Sequence, residues 1–169
     1  MKIMIKKLHK EDCAMISDAF KEQGWIKTKE QYKRYFKDQE EGKRIVLLAF
    51  ADAEFAGYCT ILWNSYYPSF KQRSIPEITD LNVLIKFRNN GIGTKLMDAA
   101  ETLIAEKSDI VGIGVGLTKD YGNAQRLYIK RGYIPDGRGI SYNETFINCG
   151  DSITVDDDLI LCFTKELKK

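Results

Sequence analysis

The sequence predicts a mixed α/β fold formed by a single domain of residues 1–169. An apolar run at residues 78–85 has the composition of a buried strand. Residues 95–107 follow it with apolar side chains three and four positions apart, which is the spacing of an amphipathic helix. With 169 residues and 44% apolar content, the chain is long enough for one domain with its own core.

The first part of the chain alternates strand and helix patterns. The predicted elements are a strand at residues 3–8, a helix at 11–21, and strands at 45–50 and 55–63 joined by a tight turn at 52–54. Thr28 is the expected N-cap of a second helix, because Gln31 three residues later would complete a capping box. Gly57 would weaken a strand interior and so predicts a bulge or a close approach. Residues 64–76 lack both periods and predict a long loop, which in compact domains is often functional.

The second part of the chain repeats this alternation. The predicted elements are strands at residues 77–85, 109–117 and 159–164, helices at 95–107 and 124–130, and a basic tail at 166–169. Gly112, Gly114 and Gly116 lie on one face of their strand, which suits the close approach of a helix or a ligand. Tyr133 begins another strand, and residues 135–155 predict an extended excursion or a hairpin. The predicted order is β-α-α-β-β-β-α-β-α-β-β.

A short glycine-bearing loop joins the predicted strand at 77–85 to the helix at 95–107. It consists of Arg88, Asn89, Asn90, Gly91, Ile92, Gly93 and Thr94. The first N–H groups of a helix have no partner within the helix, and the helix dipole makes that end positive. A loop without bulky side chains therefore lets an anion such as a phosphate approach. The Walker A pattern is absent, and the Rossmann pattern would need a third glycine, so an ordinary strand-to-helix turn is the alternative interpretation.

The loop matches the pattern Arg/Gln-x-x-Gly-x-Gly/Ala, which resembles the pyrophosphate loop of the GCN5-related N-acetyltransferases, the GNAT family. Residues 123–133 resemble the second signature of the family, in which an Asn opens a helix, Leu-Tyr lies within it and Gly-Tyr begins the next strand. Glu77 precedes Arg88 by eleven positions, an offset at which several family members carry a catalytic glutamate. The resemblance covers residues 77–133 firmly and most of the remaining chain as topology.

The resemblance implies a mostly antiparallel central sheet flanked by helices, acetyl-CoA as the cosubstrate and no metal. In the family, backbone N–H groups of the loop hold the pyrophosphate, and Arg88 would add charge. Strand backbone near Val83 would pair with the pantetheine arm, which lies where the central strand and the strand at 109–117 splay apart. Asn123 would hydrogen-bond the pantetheine or diphosphate region; its alternative role is that of a helix N-cap.

Acetyl transfer to an amine calls for a base, because an alkylammonium has a pKa of about 10.4 and is almost wholly charged at pH 7. By resemblance in position, Glu77 is the first candidate. Asp80 is the second, and on a regular strand it would face the side opposite to Glu77. Tyr128 resembles the family tyrosine that approaches the CoA sulfur, so it is the candidate acid for the departing thiolate. Its alternative role is that of a core tyrosine.

Composition excludes several classes of protein. The net charge of +2 is too small for a nucleic-acid footprint, and no apolar run approaches the length of about 20 residues that spans a membrane. The chain start lacks the apolar region of a signal peptide. The four cysteines are scattered and His9 is the one histidine, which disfavours a zinc site. A reduced cytoplasmic setting fits best, and exposed sheet edges would allow a homodimer.

These features predict an acetyl-CoA-dependent N-acetyltransferase that acts on a primary amine of a small molecule, such as an antibiotic or a polyamine. Glu144, Asp151 and residues 156–158 could attract a cationic acceptor, although such a charge run more often forms a solvated turn. One alternative is acetylation of a protein lysine or N-terminus. Another is a non-catalytic acyl-CoA-binding regulatory module, which would need neither Glu77 nor Tyr128.

Overall fold

The structure is a computed structural model that describes residues 1–167. Lys168 and Lys169, which end the predicted basic tail, lie outside the described residues. The fold is mixed α/β, with an eight-stranded, mostly antiparallel sheet flanked by helices, so the predicted fold class is confirmed. The described residues divide into two compact units: residues 1–62 with 79–103, and residues 63–78 with 104–167. The single domain stays a prediction.

The first unit contains the N-terminal strands and helices and the greater part of two later elements. Its elements are β1 (Ile3–Lys7), α1 (Asp12–Glu22), α2 (Lys29–Glu40), β2 (Arg44–Ala51), β3 (Glu54–Leu62), most of β4 (Glu77–Val83) and most of α4 (Ile92–Ala105). Its strands are ordered β1-β2-β3-β4. The core packs the aromatic rings of Phe20, Tyr32 and Tyr58 against buried Ile16 and Leu48. Ring centroids of Tyr32 and Tyr58 lie 5.4 Å apart at an interplanar angle of 85°, a favourable edge-to-face geometry.

The β2–β3 hairpin forms as predicted. Its turn residues Asp52 and Ala53 have φ of +47° and +71°, the left-handed geometry that matches a two-residue turn to the twist of its strands. The Gly57 position is a close approach, as predicted. A Cβ built on Gly57 would lie 2.4 Å from the carbonyl oxygen of Asn82 and 2.9 Å from the Cα of Val83. Glycine therefore allows β3 and β4 to approach at the segment that leads to the predicted anion loop.

The second unit contains the C-terminal strands and three helical segments. Its elements are α3 (Pro68–Gln72), the start of β4, the end of α4, β5 (Ile110–Gly116), α5 (Gly122–Lys130), β6 (Ile134–Tyr142), β7 (Thr145–Phe146) and β8 (Leu159–Glu166). Its strands are ordered β4-β5-β8-β6-β7. The β4–β5 pair is parallel, with Glu77 opposite Gly112, and β8 runs antiparallel to both β5 and β6.

Three details of the predicted element order need correction, and one open alternative is decided. The predicted loop at 64–76 contains α3, which begins at Pro68 and is too short to show a helical period. The helix predicted at 95–107 begins at Ile92, inside the predicted loop. The helix predicted at 124–130 begins at Gly122. Residues 135–155 contain a hairpin of β6 with the two-residue strand β7, so the hairpin alternative is the one that forms.

The three glycines of β5 lie on a crowded strand face, as predicted for a close approach. A Cβ on Gly112 would lie 2.3 Å from the ring of Phe70, and one on Gly116 would lie 2.4 Å from the ring of Tyr121. Between them, a Cβ on Gly114 would lie 3.8 Å from Glu77 Oε1. The two outer glycines therefore make room for aromatic rings, and the side chains of Ile160 and Cys162, with Glu77 Oε1, lie over Gly114.

Candidate active site

The predicted anion loop forms the start of α4 in the first unit. After β4 a 3-10 turn, Ile85–Phe87, precedes Asn89 and Gly91, whose φ values are +63° and +80°. Asn and Gly are the residues that adopt this left-handed conformation most easily. The N–H of Lys95 donates to the carbonyl of Gly91 at 3.0 Å, so the backbone N–H groups before it lie ahead of the first helical hydrogen bond.

The loop exposes its polar residues and buries one apolar anchor. Asn89, Asn90, Gly91 and Thr94 are exposed, whereas Ile92 is buried in the core. The Asn90 side chain donates to the carbonyl of Arg88 at 3.0 Å, which stabilises the turn. This geometry fits a phosphate group. The backbone N–H donors at the start of the 14-residue helix α4 lie at an exposed turn that contains glycine.

Arg88 contacts the preceding strand. Its Nε donates to the carbonyl of Val83 at 3.3 Å, and its guanidinium carbon lies 5.4 Å from the centre of the Trp25 ring. Next to Val83, the N–H of Leu84 donates to the carbonyl of Ala56 at 2.9 Å. The backbone at the end of β4 is therefore held by both a side chain and a neighbouring strand.

Glu77 begins β4 in the second unit, and a buried serine orients its carboxylate. Ser65, which is 1% exposed, donates from Oγ to Glu77 Oε2 at 2.6 Å. The same Oγ accepts a hydrogen bond from the backbone N–H of Tyr67 at 3.0 Å. A hydroxyl that accepts from a fixed backbone group must direct its single proton elsewhere, here to Glu77. Sequence reasoning missed Ser65, which lies in the segment predicted as a loop.

The buried thiol of Cys162 interacts electrostatically with this carboxylate. Burial raises the pKa of the Cys162 thiol, and the charges of Glu77 and Asp136 raise it further. Asp136 on β6 accepts a hydrogen bond from the Tyr67 hydroxyl at 2.7 Å. Cys162 therefore stays a neutral thiol beside two carboxylates, which favours packing over nucleophilic chemistry for it.

Tyr128 and Asn123 belong to α5, also in the second unit. Tyr128 is buried, with its ring centroid 6.0 Å from that of Tyr133, and its carbonyl accepts from the Tyr133 N–H at 3.0 Å. Asn123 is exposed and lies in the first turn of α5, whose N-cap position is Tyr121. The N-cap alternative for Asn123 is therefore wrong. The exposed amide is accessible to a ligand.

Asp80 departs from the regular strand that the sequence predicted. Its φ of +52° is uncommon for a non-glycine residue, so the simple alternation that placed Asp80 opposite Glu77 does not apply to β4. Five side chains of the first unit donate to its carboxylate: Lys27, Gln31, Tyr35, Tyr58 and Asn82. A carboxylate has about four lone-pair directions, so Asp80 would have to lose a donor before it could accept a proton from a substrate.

Gln31 and Arg44 extend this network. Thr28 caps α2 as predicted, since its Oγ1 accepts from the Gln31 N–H at 3.2 Å. The Gln31 side chain instead donates to Asp80 and Tyr35, so the second hydrogen bond of a capping box does not form. The Arg44 guanidinium lies 4.2 Å from the centre of the Tyr35 ring and donates to Thr60 at 2.7 Å. Tyr35 therefore contacts the Asp80 carboxylate through its hydroxyl and the Arg44 guanidinium through its ring.

We expect the Tyr35 phenol to make the protein less stable in alkali. Burial raises its pKa to about 12, and the Asp80 charge adds to this effect. A raised pKa means that the unfolded chain releases this proton first, near pH 10, so stability is complete below pH 10 and falls as the pH rises towards 12. The free energy of unfolding, measured in urea, should fall less steeply between pH 10 and 12 in Tyr35→Phe than in the wild-type protein. The difference between the two slopes should be up to about 1.4 kcal/mol per pH unit. The difference in the free energy of unfolding between the two proteins at pH 7–8 serves as the internal control. If this difference stays constant above pH 10, the expectation is contradicted.

The acidic C-terminal residues have structural partners. Asp157 accepts from the Tyr121 hydroxyl at 2.8 Å, and Asp156 accepts from the Tyr142 hydroxyl at 2.9 Å. Asp151 accepts from the backbone N–H of Asn148 at 2.8 Å. These bonds support the turn interpretation of the charge run over attraction of an acceptor.

Across residues 1–167, no cluster of three or more His, Cys, Asp or Glu side chains has the arrangement of a metal site. None of the helices in this part of the chain has both the length and the apolar character needed to cross a membrane.

The eight-stranded mixed sheet flanked by helices is the architecture that the resemblance to the acetyltransferases implied. The family model described as "Acetyltransferase (GNAT) family" matches residues 11–133. This match covers well over half of the chain, and the chain belongs to the GNAT acetyltransferase family. It is an acetyl-CoA-dependent N-acetyltransferase.

Solved structures of acetyltransferases share the fold. An N-acetyltransferase from Staphylococcus aureus Mu50 is 15% identical, with a TM-score of 0.72 and coverage of 99% of this chain and 100% of that one. The protein yncA from Salmonella typhimurium, solved with its cofactor acetyl-CoA, is 14% identical, with a TM-score of 0.71 and coverage of 100% and 96%. A ribosomal-protein-alanine N-acetyltransferase from Brucella melitensis is 14% identical, with a TM-score of 0.71 and coverage of 97% and 99%. Among curated proteins, none matches this sequence.

Proposed function

We propose that this N-acetyltransferase acts on a primary amine of a small molecule, with Glu77 as the general base and Tyr128 as the general acid. The observation that carries the proposal is the 2.6 Å hydrogen bond from buried Ser65 to Glu77 Oε2. This bond orients the carboxylate, whose other oxygen, Oε1, lies 3.8 Å from the position that a Cβ on Gly114 would take. A base must be held in place to receive a proton, and the Ser65 bond supplies that orientation.

The base has a clear energetic role. An alkylammonium with a pKa of about 10.4 is neutral in about one molecule per 10³ at pH 7, a deficit of about 4–5 kcal/mol. Glu77 would take one proton from the ammonium before attack, so that the neutral nitrogen can form its bond to the acetyl carbon and then release its second proton to solvent. Tyr128 would give its phenolic proton to the sulfur as the C–S bond breaks. A phenol with a pKa of about 10 can protonate a thiolate whose reference pKa is about 8.5 at little cost.

The cosubstrate would be held mainly by backbone. Acetyl-CoA, when bound, supplies the activated thioester. We assign its pyrophosphate to the backbone N–H groups of residues 88–94, its pantetheine arm to the strand backbone near Val83, and a further hydrogen bond to Asn123. The exposed loop at the start of α4 supports the first of these assignments. The contact of Arg88 with Val83 suggests that this arginine also shapes the strand end.

Asp80 is the weaker base candidate. Its two oxygens already accept hydrogen bonds from five side chains, including the ammonium of Lys27.

The cytoplasmic setting and the homodimer stay predictions.

The acceptor class is tested by thiol release from acetyl-CoA. The panel contains aminoglycosides, polyamines, free amino acids, a lysine peptide and a peptide that begins with alanine, since the Brucella melitensis relative is a ribosomal-protein-alanine acetyltransferase. Release with a small amine supports the proposal, and release with the peptides alone would move it to a protein acceptor. If acetyl-CoA binds but no amine supports release, the non-catalytic module becomes the better description.

Tyr128→Phe should slow acetyl transfer by about 10–100-fold, because loss of a positioned proton donor typically costs at least this much. Burst or single-turnover kinetics would measure the transfer step directly, and the KM for acetyl-CoA should change little. Tyr133→Phe is the matched control, because Tyr133 is also buried and its ring lies 6.0 Å from that of Tyr128. A wild-type transfer rate in Tyr128→Phe would reduce Tyr128 to a packing residue.

A further inference from the structure

The ammonium group of Lys27 lies in a defined site within the first unit. Its Nζ is 3.1 Å from Asp80 Oδ1 and 3.1 Å from the hydroxyl of Tyr58. It also lies 5.5 Å and 5.6 Å from the ring centres of Tyr58 and Phe20. Lys27 belongs to the segment between α1 and α2, and its carbonyl accepts from the Ser17 hydroxyl at 2.7 Å.

A carboxylate, a phenol oxygen and two aromatic faces have the chemistry of a cation site. The carboxylate and the phenol oxygen accept N–H hydrogen bonds, and the aromatic faces attract positive charge. A primary ammonium suits this geometry, because it presents N–H donors within a compact head on a flexible stem. A guanidinium is planar and broader, and a quaternary ammonium has no N–H to donate.

The site does not depend on Lys27 for its shape. Tyr58, Tyr35, Gln31 and Asn82 all donate to the Asp80 carboxylate and would hold it in place without the lysine. The side chains of Lys27 and Asp80 are 18% and 21% exposed, so solvent reaches the ion pair. Asp80 also has the left-handed φ of +52° within a strand, a conformation that clusters at functional sites.

We propose that Asp80, Tyr58 and Phe20 form a binding site for the ammonium group of the acceptor, an assignment that rests on the function proposed above, and that Lys27 holds this site until the acceptor displaces it. The acceptor is then a primary amine at the end of an unbranched methylene chain, because that is the group the site already holds. Lys27 acts as a tethered competitor.

A tethered competitor lowers the apparent affinity for the acceptor. If Lys27 occupies the site for 90–99% of the time, the observed affinity is about 10–100-fold weaker than that of the open site. Removal of the lysine charge should recover this factor. A substitution that removes a lysine elsewhere and keeps the site intact should not change the affinity.

The test measures binding of butylammonium, which reproduces Lys27 from Cβ to Nζ, by calorimetry without acetyl-CoA. Lys27→Met removes the competitor and keeps an unbranched side chain. Lys37→Met is the matched control, because Lys37 on α2 is 77% exposed and pairs with Glu41, the residue that follows the helix. We expect Lys27→Met to bind butylammonium at least 10-fold more tightly than the wild-type protein and Lys37→Met.

Three further arms decide what the site recognises. Butanol and butylguanidinium should bind Lys27→Met at least 10-fold more weakly than butylammonium. The double variant Lys27→Met/Asp80→Asn should lose the increase in affinity for butylammonium that Lys27→Met shows. Nα-acetyl-lysine in place of butylammonium distinguishes a lysine residue from a free amine as the source of the ammonium. If Lys27→Met does not fold, as judged by circular dichroism, Lys27→Gln replaces it.

The proposal would be overturned if a folded Lys27 variant bound butylammonium no more tightly than the wild-type protein. It would also be overturned if the increase in affinity survived Asp80→Asn or extended equally to butanol. Equal binding of butylguanidinium would overturn the preference for a primary ammonium. Because these measurements need no turnover, a failure of Glu77 or Tyr128 as catalytic groups would leave their result unchanged. The two proposals can therefore fail separately.

Discussion

The Glu77→Gln variant is expected to lose about 10²–10³-fold in kcat/KM for the amine at pH 7, because a positioned general base typically contributes 10²–10⁴-fold. Glutamine keeps the size of the side chain and can still accept from Ser65, whose Oγ lies 2.6 Å from Glu77 Oε2. It cannot accept the proton. Affinity for acetyl-CoA should stay near the wild-type value, since the loop that we propose for the pyrophosphate lies elsewhere in the chain.

The measurement is initial-rate kinetics between pH 6 and 10, with acetyl-CoA affinity measured separately. The deficit of Glu77→Gln should shrink as the pH approaches the pKa of the free amine, because less of the substrate then needs a base. Glu106→Gln, at an exposed position after α4, is the matched control. Rates equal to wild type across this range would remove Glu77 from the mechanism. A larger loss of kcat in Asp80→Asn than in Glu77→Gln would transfer the role to Asp80.

The Gly57→Ala variant is expected to lose about 3 kcal/mol in the free energy of unfolding, at the upper end of overpacking costs. The added Cβ would lie 2.4 Å from the backbone oxygen of Asn82 and 2.9 Å from the Cα of Val83. Backbone atoms cannot rotate away as a side chain can, so β3 or β4 must shift. At about 2–4 °C per kcal/mol for a chain of this size, the Tm should fall by about 6–12 °C.

The same shift should affect the cosubstrate, because it moves the backbone of Val83, which we propose to pair with pantetheine. The KM for acetyl-CoA should therefore rise in Gly57→Ala. Gly122→Ala is the control, since a Cβ there meets no atom within 4 Å and its φ of −56° is ordinary helix geometry. Urea unfolding and calorimetry would measure stability. A Gly57→Ala protein as stable as Gly122→Ala would show that β3 and β4 are not held this closely in solution.

Local patterns predicted most of the fold. The hairpin turn at Asp52 and Ala53 and the cap at Thr28 depend on residues within a few positions of each other, and both form as expected. Helix α3 was missed because its five residues are too few to show a period. The sequence pattern places the start of α4 three residues late, because Gly93 and Thr94 are poor helix formers that the helix nevertheless includes.

The candidate site was only partly predictable. The spacing of Glu77, the loop at 88–94 and Tyr128 matched a family pattern, so these positions could be chosen without a structure. Ser65 could not, since nothing in a segment without a period indicates that its hydroxyl reaches Glu77. Asp80 was assigned to a strand face by regular alternation, and the left-handed φ at that residue breaks the alternation.

By itself, the sequence determined the fold class and the family resemblance and placed the predicted anion loop, because periodicity, turn residues and motif spacing are properties of neighbouring residues. Only the tertiary structure decided which polar side chains meet. Lys27 and Asp80 are 53 positions apart, and their ion pair depends on how α1, α2 and β4 pack. Contacts at such separations follow from packing and burial across the whole unit, and these are the contacts from which the ammonium site is inferred.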